Sequence, residues 1–327
     1  MKRPRRQFLH LVAGAAALPF APHIARAQVY PARPITMIVP FAAGGPNDGI
    51  ARIMAERMGV LLGQPVLIEN VDGAAGSIGT GRAARAAPDG YTISIGYWGT
   101  HVANAAIYAL DYDVVKDFEP ISLLVESPLL IAASKATPAN DLREFVNWLR
   151  ANPDKVSAAV PGSASHVASV FFQRQTDTRF RLVPYRGAGP AIQDLAQGRI
   201  DMALLNAGAP LPHVRSGAFK AYAVSTKQRL AAAPEIPTVD EAGFPNLDAS
   251  VWFGFWAPAR TPKDIIARLN AATVEALADP GVRARLADLA QEIFPREQQT
   301  PAALADLQKA EIEKWWPIIR AANIKPE

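Results

Sequence analysis

Four times in this chain a short apolar run ends in a turn of small residues just where a helical pattern begins. The turns are FAAGGPND (residues 41–48), ENVDGAAGSIG (69–79), PGSASH (161–166) and LLNAGAP (204–210). A strand that hands over to a helix is the repeating unit of an α/β fold. Glycine at the handover lets the backbone take positive φ and lets a guest molecule come close. The first N–H groups of the helix then face outward, and the helix dipole favours negative charge there. The pattern therefore fixes both an architecture and a kind of site.

The rest of the chain agrees with an α/β reading. ITMIVPF (35–41) reads as a buried strand, and Ile50, Ile53, Met54, Met58 and Leu61 fall on one helical face closed by Gly63. PVLIEN is the second strand, GSIGTGRAARAA a helix ended by Pro88-Asp89-Gly90, and YTISIGYW the third strand. ISLLVESPLLIAAS (121–134) is long enough to run from one lobe into another. A second series follows. A helix carries Leu142, Phe145, Val146 and Leu149 inward, then come VSAAVPG, SASHVASVFFQRQ, RLVPY, AIQDLAQGR and DMALLN, with KAYAVST (220–226) as a return strand. The tail reads as mostly helical. Thr261-Pro262 and Thr300-Pro301 supply a cap residue and a first-turn proline for two long helices. Trp315 and Trp316 read as packing residues that pin the C-terminus.

A chain of 327 residues, half of them apolar, is long for one hydrophobic core. The expectation is two α/β lobes, one built from 28–127 with 226–327 and the other from 128–225. In open α/β lobes ligands bind outside the carboxyl ends of the strands, which here is the cleft between the lobes.

Residues 1–27 read as a cleavable export leader: Lys2, Arg3, Arg5 and Arg6, a short apolar run, then Ala25-Arg26-Ala27. Arg5-Arg6-Gln7-Phe8-Leu9 resembles the twin-arginine signal. The leader holds five of the positive charges and no acid, so removing it takes the chain from +4 to −1. No basic surface is then left to favour nucleic acid or an anionic membrane. An exported chain without cysteine has no disulfides, so its stability comes from core size. The expectation is a soluble, monomeric protein of the periplasm.

Two glycine-rich helix starts on one lobe, with no Lys or Arg inside either loop, point to a carboxylate held by backbone N–H groups, hydroxyls and ordered water. Other chemistries fit less well. GAAGSIG lacks the spacing of a dinucleotide site and follows the second strand, so no coenzyme is expected. GSASH lacks the nucleophile elbow, which leaves Ser163 or Ser165 with His166 as a minor hydrolase alternative. The histidines show no metal spacing. Asn47 or Asp48 is expected to cap the first helix.

At these residues the chain resembles the tripartite tricarboxylate transporter solute receptors, the Bug proteins. The likeness covers the segment from YPARPITMIVPFAAGGPNDGIARIMAERMG to ARAAPDGYT, and then WGTHVANAAIY, DFEPISLL, VPYRGAGPAIQDLAQGRIDM, LPHVRSG, AVSTKQR, IPTVDEAG and WFGFWAPARTP in order. The resemblance implies a type II periplasmic binding-protein fold, two lobes joined by a hinge. It implies a receptor, not an enzyme, that closes on a small organic carboxylate (mono-, di- or aromatic) and delivers it to integral-membrane subunits. A sensor that signals occupancy would use the same closure. In the family the first two loops hold one ligand carboxylate. That implicates Phe41, Ala43, Gly45, Asn47 and Asp48 in the first loop, and Gly73, Ala74, Ala75 and Gly76 in the second. Other cleft residues map onto Thr100, Ser163, Ser165 and Asn206, and Arg186 follows VPY where a basic residue is usual. Two departures stand out. Leu205 occupies a position where many members have Asp, which should disfavour an ammonium group on the ligand. Pro46-Asn47 replaces a common Gly-Thr or Gly-Ser pair, so an amide stands in for a hydroxyl. On these loops a charge inserted at Gly76 (Gly76→Asp) is expected to abolish binding while sparing the fold.

Overall fold

The computed structural model describes residues 30–324 except 246 and 248. The expected leader lies outside the described residues. Two sheets divide the chain. The larger contains β1 (Ile35–Val39), β2 (Val66–Asn70), β3 (Thr92–Tyr97), β4 (Phe118–Ser127), β10 (Val251–Pro258) and β11 (Glu292–Ile293), in the order β11-β4-β10-β3-β1-β2. The smaller contains β5 (Leu129–Ser134), β6 (Ser157–Val160), β7 (Arg181–Pro184), β8 (Met202–Asn206) and β9 (Phe219–Val224), in the order β7-β6-β8-β5-β9.

The two lobes share one plan. In each, three strands run parallel and a fourth inserts antiparallel beside them. The inserted strand is the one delivered from the other lobe: β5 follows β4 of the larger sheet, and β10 follows β9 of the smaller. The run 121–134 does cross between lobes, and Pro128 breaks it into β4 and β5. The second crossing is tied to the first. Leu129 donates its N–H to Ser225 Oγ (2.9 Å), and Ser225 returns its own to the Leu129 carbonyl (2.8 Å).

Helices cover both sheets. In the larger lobe α1 (Pro46–Leu62) buries Ile50, Ile53, Met54, Met58 and Leu62, the i, i+3, i+4 spacing of a core-facing stripe. Leu62, not Leu61, is the buried member of its last turn. Gly63 closes the helix at φ 72°, a conformation glycine adopts freely. α2 (Ser77–Ala84) and the short α3 (Asn104–Ile107) follow β2 and β3. In the smaller lobe α4 (Leu142–Ala151) buries Leu142, Phe145, Val146 and Leu149 as the spacing predicts. α5 (Ser163–Thr176), α6 (Ala188–Ala196) and α7 (Leu211–Arg215) connect its strands.

The tail returns to the larger lobe as α8 (Lys263–Ala278), α9 (Pro280–Asp288) and α10 (Pro301–Ala321). Thr300 caps α10, accepting the Ala303 N–H at 3.1 Å. Thr261 does not cap α8: its hydroxyl donates backward to the Pro258 carbonyl (2.7 Å), and Pro262 holds the cap position. Trp315 is buried edge-on to Trp98 and to Phe171 of α5, so the last helix touches both lobes. Trp316 donates its indole N–H to the Val102 carbonyl at 3.0 Å. No helix among the described residues is long and apolar enough to cross a membrane.

Candidate functional site

Five strand-to-helix turns, two from the larger lobe and three from the smaller, surround one cavity of about 420 Å³. The first turn leaves β1 through Phe41 and enters α1 at Pro46. Gly45 holds the N-cap position in extended backbone (φ −82°, ψ 173°) with no side-chain cap. Neither Asn47 nor Asp48 caps the helix, because both already lie in its first turn. Asp48 turns away from the cavity and braces the loop. It accepts hydrogen bonds from the Gly44 N–H (2.9 Å), Arg52 Nε (2.8 Å) and Asn70 Nδ2 (3.0 Å). Its burial alone would raise its pKa, but these donors and the Arg52 charge hold it below the usual carboxylate range. Asn70 also donates to the Phe41 carbonyl (3.0 Å), so one polar network fixes the loop from behind. Asn47 faces the cavity instead, and its buried Oδ1 has no partner among the described residues.

The second turn bends unusually. Gly73, Ala74, Ala75 and Gly76 have φ of 125°, 47°, 51° and 87°. Alanine at positive φ costs on the order of 1 kcal/mol or more, so two in succession need outside support. Asn104 provides it, donating Nδ2 to the Ala75 carbonyl at 2.9 Å. Gly76 is buried behind the Phe41 ring, and a Cβ there would come within 2.7 Å of that ring and 2.9 Å of Thr100 Cγ2. Gly76→Asp would therefore damage the loop itself, contrary to the expectation of a spared fold. Thr100 is wholly buried in the π-turn Gly99–Ala103 that follows β3.

The smaller lobe contributes two more glycine-capped helices. Gly162 before α5 has φ 152° and ψ 172°, and Gly187 before α6 has φ 149° and ψ 173°. That region is essentially restricted to glycine. Neither helix has a side-chain cap. Arg186 projects beside Gly187, exposed and without a hydrogen-bond or ion-pair partner among the described residues. Ser165 lines the cavity and donates to the Leu204 carbonyl at 2.6 Å. Ser163 is buried and donates across the lobes to Asn104 Oδ1 at 3.0 Å. Both hydroxyl protons are thus committed to acceptors other than a histidine base, which speaks against a serine nucleophile.

Of the residues expected from sequence, Phe41, Ala43, Gly45, Asn47, Ser165, Arg186 and Asn206 meet at the cavity wall. Asp48, Thr100 and Ser163 sit behind it, and Gly73, Ala74, Ala75 and Gly76 flank it as the second turn. The wall also includes Tyr97, Gly162, Gly187, Leu204 and Leu205. Gly187 could have been found by the signal that revealed the other turns, since VPYRGAG also ends a strand with small residues. Among the described residues Arg186 is the sole cationic side chain in the lining, and Asp72 the sole carboxylate. Asp72 accepts the Gly73 N–H at 2.7 Å.

Helices away from the cavity are mostly treated differently. Asp141, Asp279 and Thr300 accept N–H groups at the starts of α4, α9 and α10, while α3 and α8 are exceptions. At the cavity the first-turn N–H groups of α1, α5 and α6 are left for something else to satisfy. Three positive helix ends and one guanidinium converge there, an arrangement suited to an anionic guest. Phe41, Tyr97, Leu204 and Leu205 supply apolar surface between them.

Residues 50–324 match the family described as tripartite tricarboxylate transporter family receptor. The chain is 35% identical over 304 residues to Protein BugT of Bordetella pertussis, covering 91% of this chain and 92% of that one. Among solved structures it is similar to MatC from Rhodopseudomonas palustris with bound malate, at 39% identity and a TM-score of 0.81, covering 89% of this chain and all of the other. A second R. palustris protein, solved with adipate, is 30% identical with a TM-score of 0.83, covering 91% and 100%. These relatives are solute-binding receptors and not enzymes, and they share the two-lobed fold of type II periplasmic binding proteins. The chain belongs to the tripartite tricarboxylate transporter receptor family.

Proposed function

We propose that this receptor captures a small organic carboxylate in the periplasm by lobe closure and delivers it to the integral-membrane subunits of a tripartite tricarboxylate-type transporter. The observation that carries the reading is the convergence of glycine-capped helix starts from both lobes on a single cavity. A carboxylate seated at the first two loops would accept from backbone N–H groups of the larger lobe. A ligand long enough to reach α6 would present a second carboxylate to Arg186 and the first turn of that helix. Each end of such a di-acid then holds one lobe, so binding favours the closed form. Residues 1–27 act as its twin-arginine leader, and the lobes divide at 127/128 and 225/226.

Leu205 sharpens the ligand class. With Asp72 the sole carboxylate among the described lining residues, the distal wall has little to offer an ammonium group. The fitting guest is an unaminated acid with a carbon chain or ring against Leu204 and Leu205. A thermal-shift screen of aliphatic mono- and dicarboxylates, aromatic acids and amino acids tests this, because a ligand that binds only the folded state raises its melting temperature. Unaminated acids are expected to shift it and their amino analogues not to. Equal affinity of an amino acid and its deaminated analogue in calorimetry would overturn the ligand class.

A further inference from the structure

We propose that Asn104 is a positioning residue that makes the shape of the second ligand loop depend on lobe closure; the proposal rests on the receptor reading of the cleft. Asn104 is wholly buried and bonds in three directions. Nδ2 donates to the Ala75 carbonyl (2.9 Å) and to Ser77 Oγ (3.2 Å), both on the larger lobe. Oδ1 accepts from Ser163 Oγ (3.0 Å), at the first residue of α5 on the smaller lobe. The Ala75 carbonyl can only accept, so it fixes which end of the amide faces the loop. Ser163 must then be the donor across the lobes.

The loop depends on this amide. Ala74 and Ala75 hold positive φ that alanine rarely adopts, and the Ala75 carbonyl is where Asn104 grips them. Opening the lobes would withdraw Ser163 and leave Oδ1 to competing donors such as water. The amide then gains by turning toward any other donor, and the loop loses its hold. Closure restores all three bonds at once. A ligand on the loop and the arrival of α5 therefore favour each other, although Asn104 does not line the cavity. Its placement comes from the π-turn Gly99–Ala103, which sets the start of α3 against both α5 and the second loop. Such turns recur at functional sites.

Hydrogen exchange on the unliganded full chain tests the coupling without any ligand. Ser163→Ala removes one hydroxyl from the smaller lobe. It is expected to speed exchange of the amides of residues 75–79, on the other lobe, by about 3- to 10-fold, the effect of one hydrogen bond. In an Asn104→Ala background the same Ser163 change should alter that exchange by less than about twofold, since the link is already gone. Loop exchange unchanged by Ser163→Ala in the otherwise native chain would overturn the proposal. Equal acceleration in both backgrounds would overturn it too, because Ser163 would then act by another route. If Asn104→Ala does not fold, Asn104→Asp, which keeps the acceptor for Ser163 and loses the donor to Ala75, replaces it: the loop should exchange faster with the cross-lobe bond intact, and an unchanged loop would count against the proposal. A failed acid screen would leave this result standing, and a failed exchange experiment would leave the receptor reading standing.

Discussion

His101 lies wholly inside the larger lobe, stacked on Trp256 with ring centroids 3.8 Å apart and edge-on to Phe118. Burial pushes its pKa down from 6.5 to about 3. The folded protein therefore keeps the imidazole neutral where the unfolded chain would protonate it. A depressed folded pKa means that stability is complete above the unfolded value and is lost as pH falls below it. The slope approaches about 1.4 kcal/mol per pH unit between roughly pH 6 and 3. Urea unfolding at pH 7.5 and pH 5.0 should show that loss, and His101→Gln should remove its share of the difference. An unchanged pH dependence in the variant would show that another group sets it. Asn104 shows why a residue can escape a reading of the sequence. Its partners lie 27, 29 and 59 residues away, and no local spacing announces them. Asp48 was legible as important, but its function was not. Being two residues past Pro46 makes it a first-turn brace, and only Asn70 and Arg52 in place reveal what it braces.

At the scale of elements, the strand-to-helix order was legible because each amphipathic helix carries its own period and each turn its own small residues. β10 escaped because VWFGFWAP is apolar and buried at all eight positions, so it has no period to read. Its neighbours on both sides come from segments more than a hundred residues earlier. The contrast between capped and uncapped helices yields a paired prediction. Gly162→Ala adds a Cβ with nothing within 4 Å, so its effect comes from backbone strain alone, about 1–3 kcal/mol. If relieved by reshaping the turn, that strain re-aims the first N–H groups of α5 and weakens ligand binding. Thr300→Ala removes the cap of α10 and should cost about 1 kcal/mol of stability while leaving binding unchanged. Denaturant midpoints and calorimetric affinities for both variants check the pair. A binding defect in the Thr300 variant without one in the Gly162 variant would contradict the assignment of the cavity.

At the scale of the whole molecule, two crossings joined through Leu129 and Ser225 connect the lobes, and Trp98, Trp315 and Phe171 meet at a seam beside them, where Trp98 and Trp315 share a small pocket with Leu129 and Val251. Closure should therefore register twice: as a smaller radius of gyration in solution scattering, and as a shift in tryptophan emission when the indole seam repacks. Neither signal should accompany an acid that leaves the melting temperature unchanged. The two-lobed plan followed from chain length and from the repeat of the α/β series. Which turns face one another did not, because that depends on how two sheets are placed in space. The central claim is that backbone corners opened by glycine hold the acid. Gly45 is the position to test, since a Cβ there meets nothing closer than the Ala42 carbonyl oxygen at 3.7 Å and its φ of −82° suits any residue. Calorimetric titration of Gly45→Asp with the strongest acid from the screen should show affinity reduced at least about 100-fold, with the unliganded melting temperature within a few degrees of the native protein's. Native affinity in that variant would contradict the account.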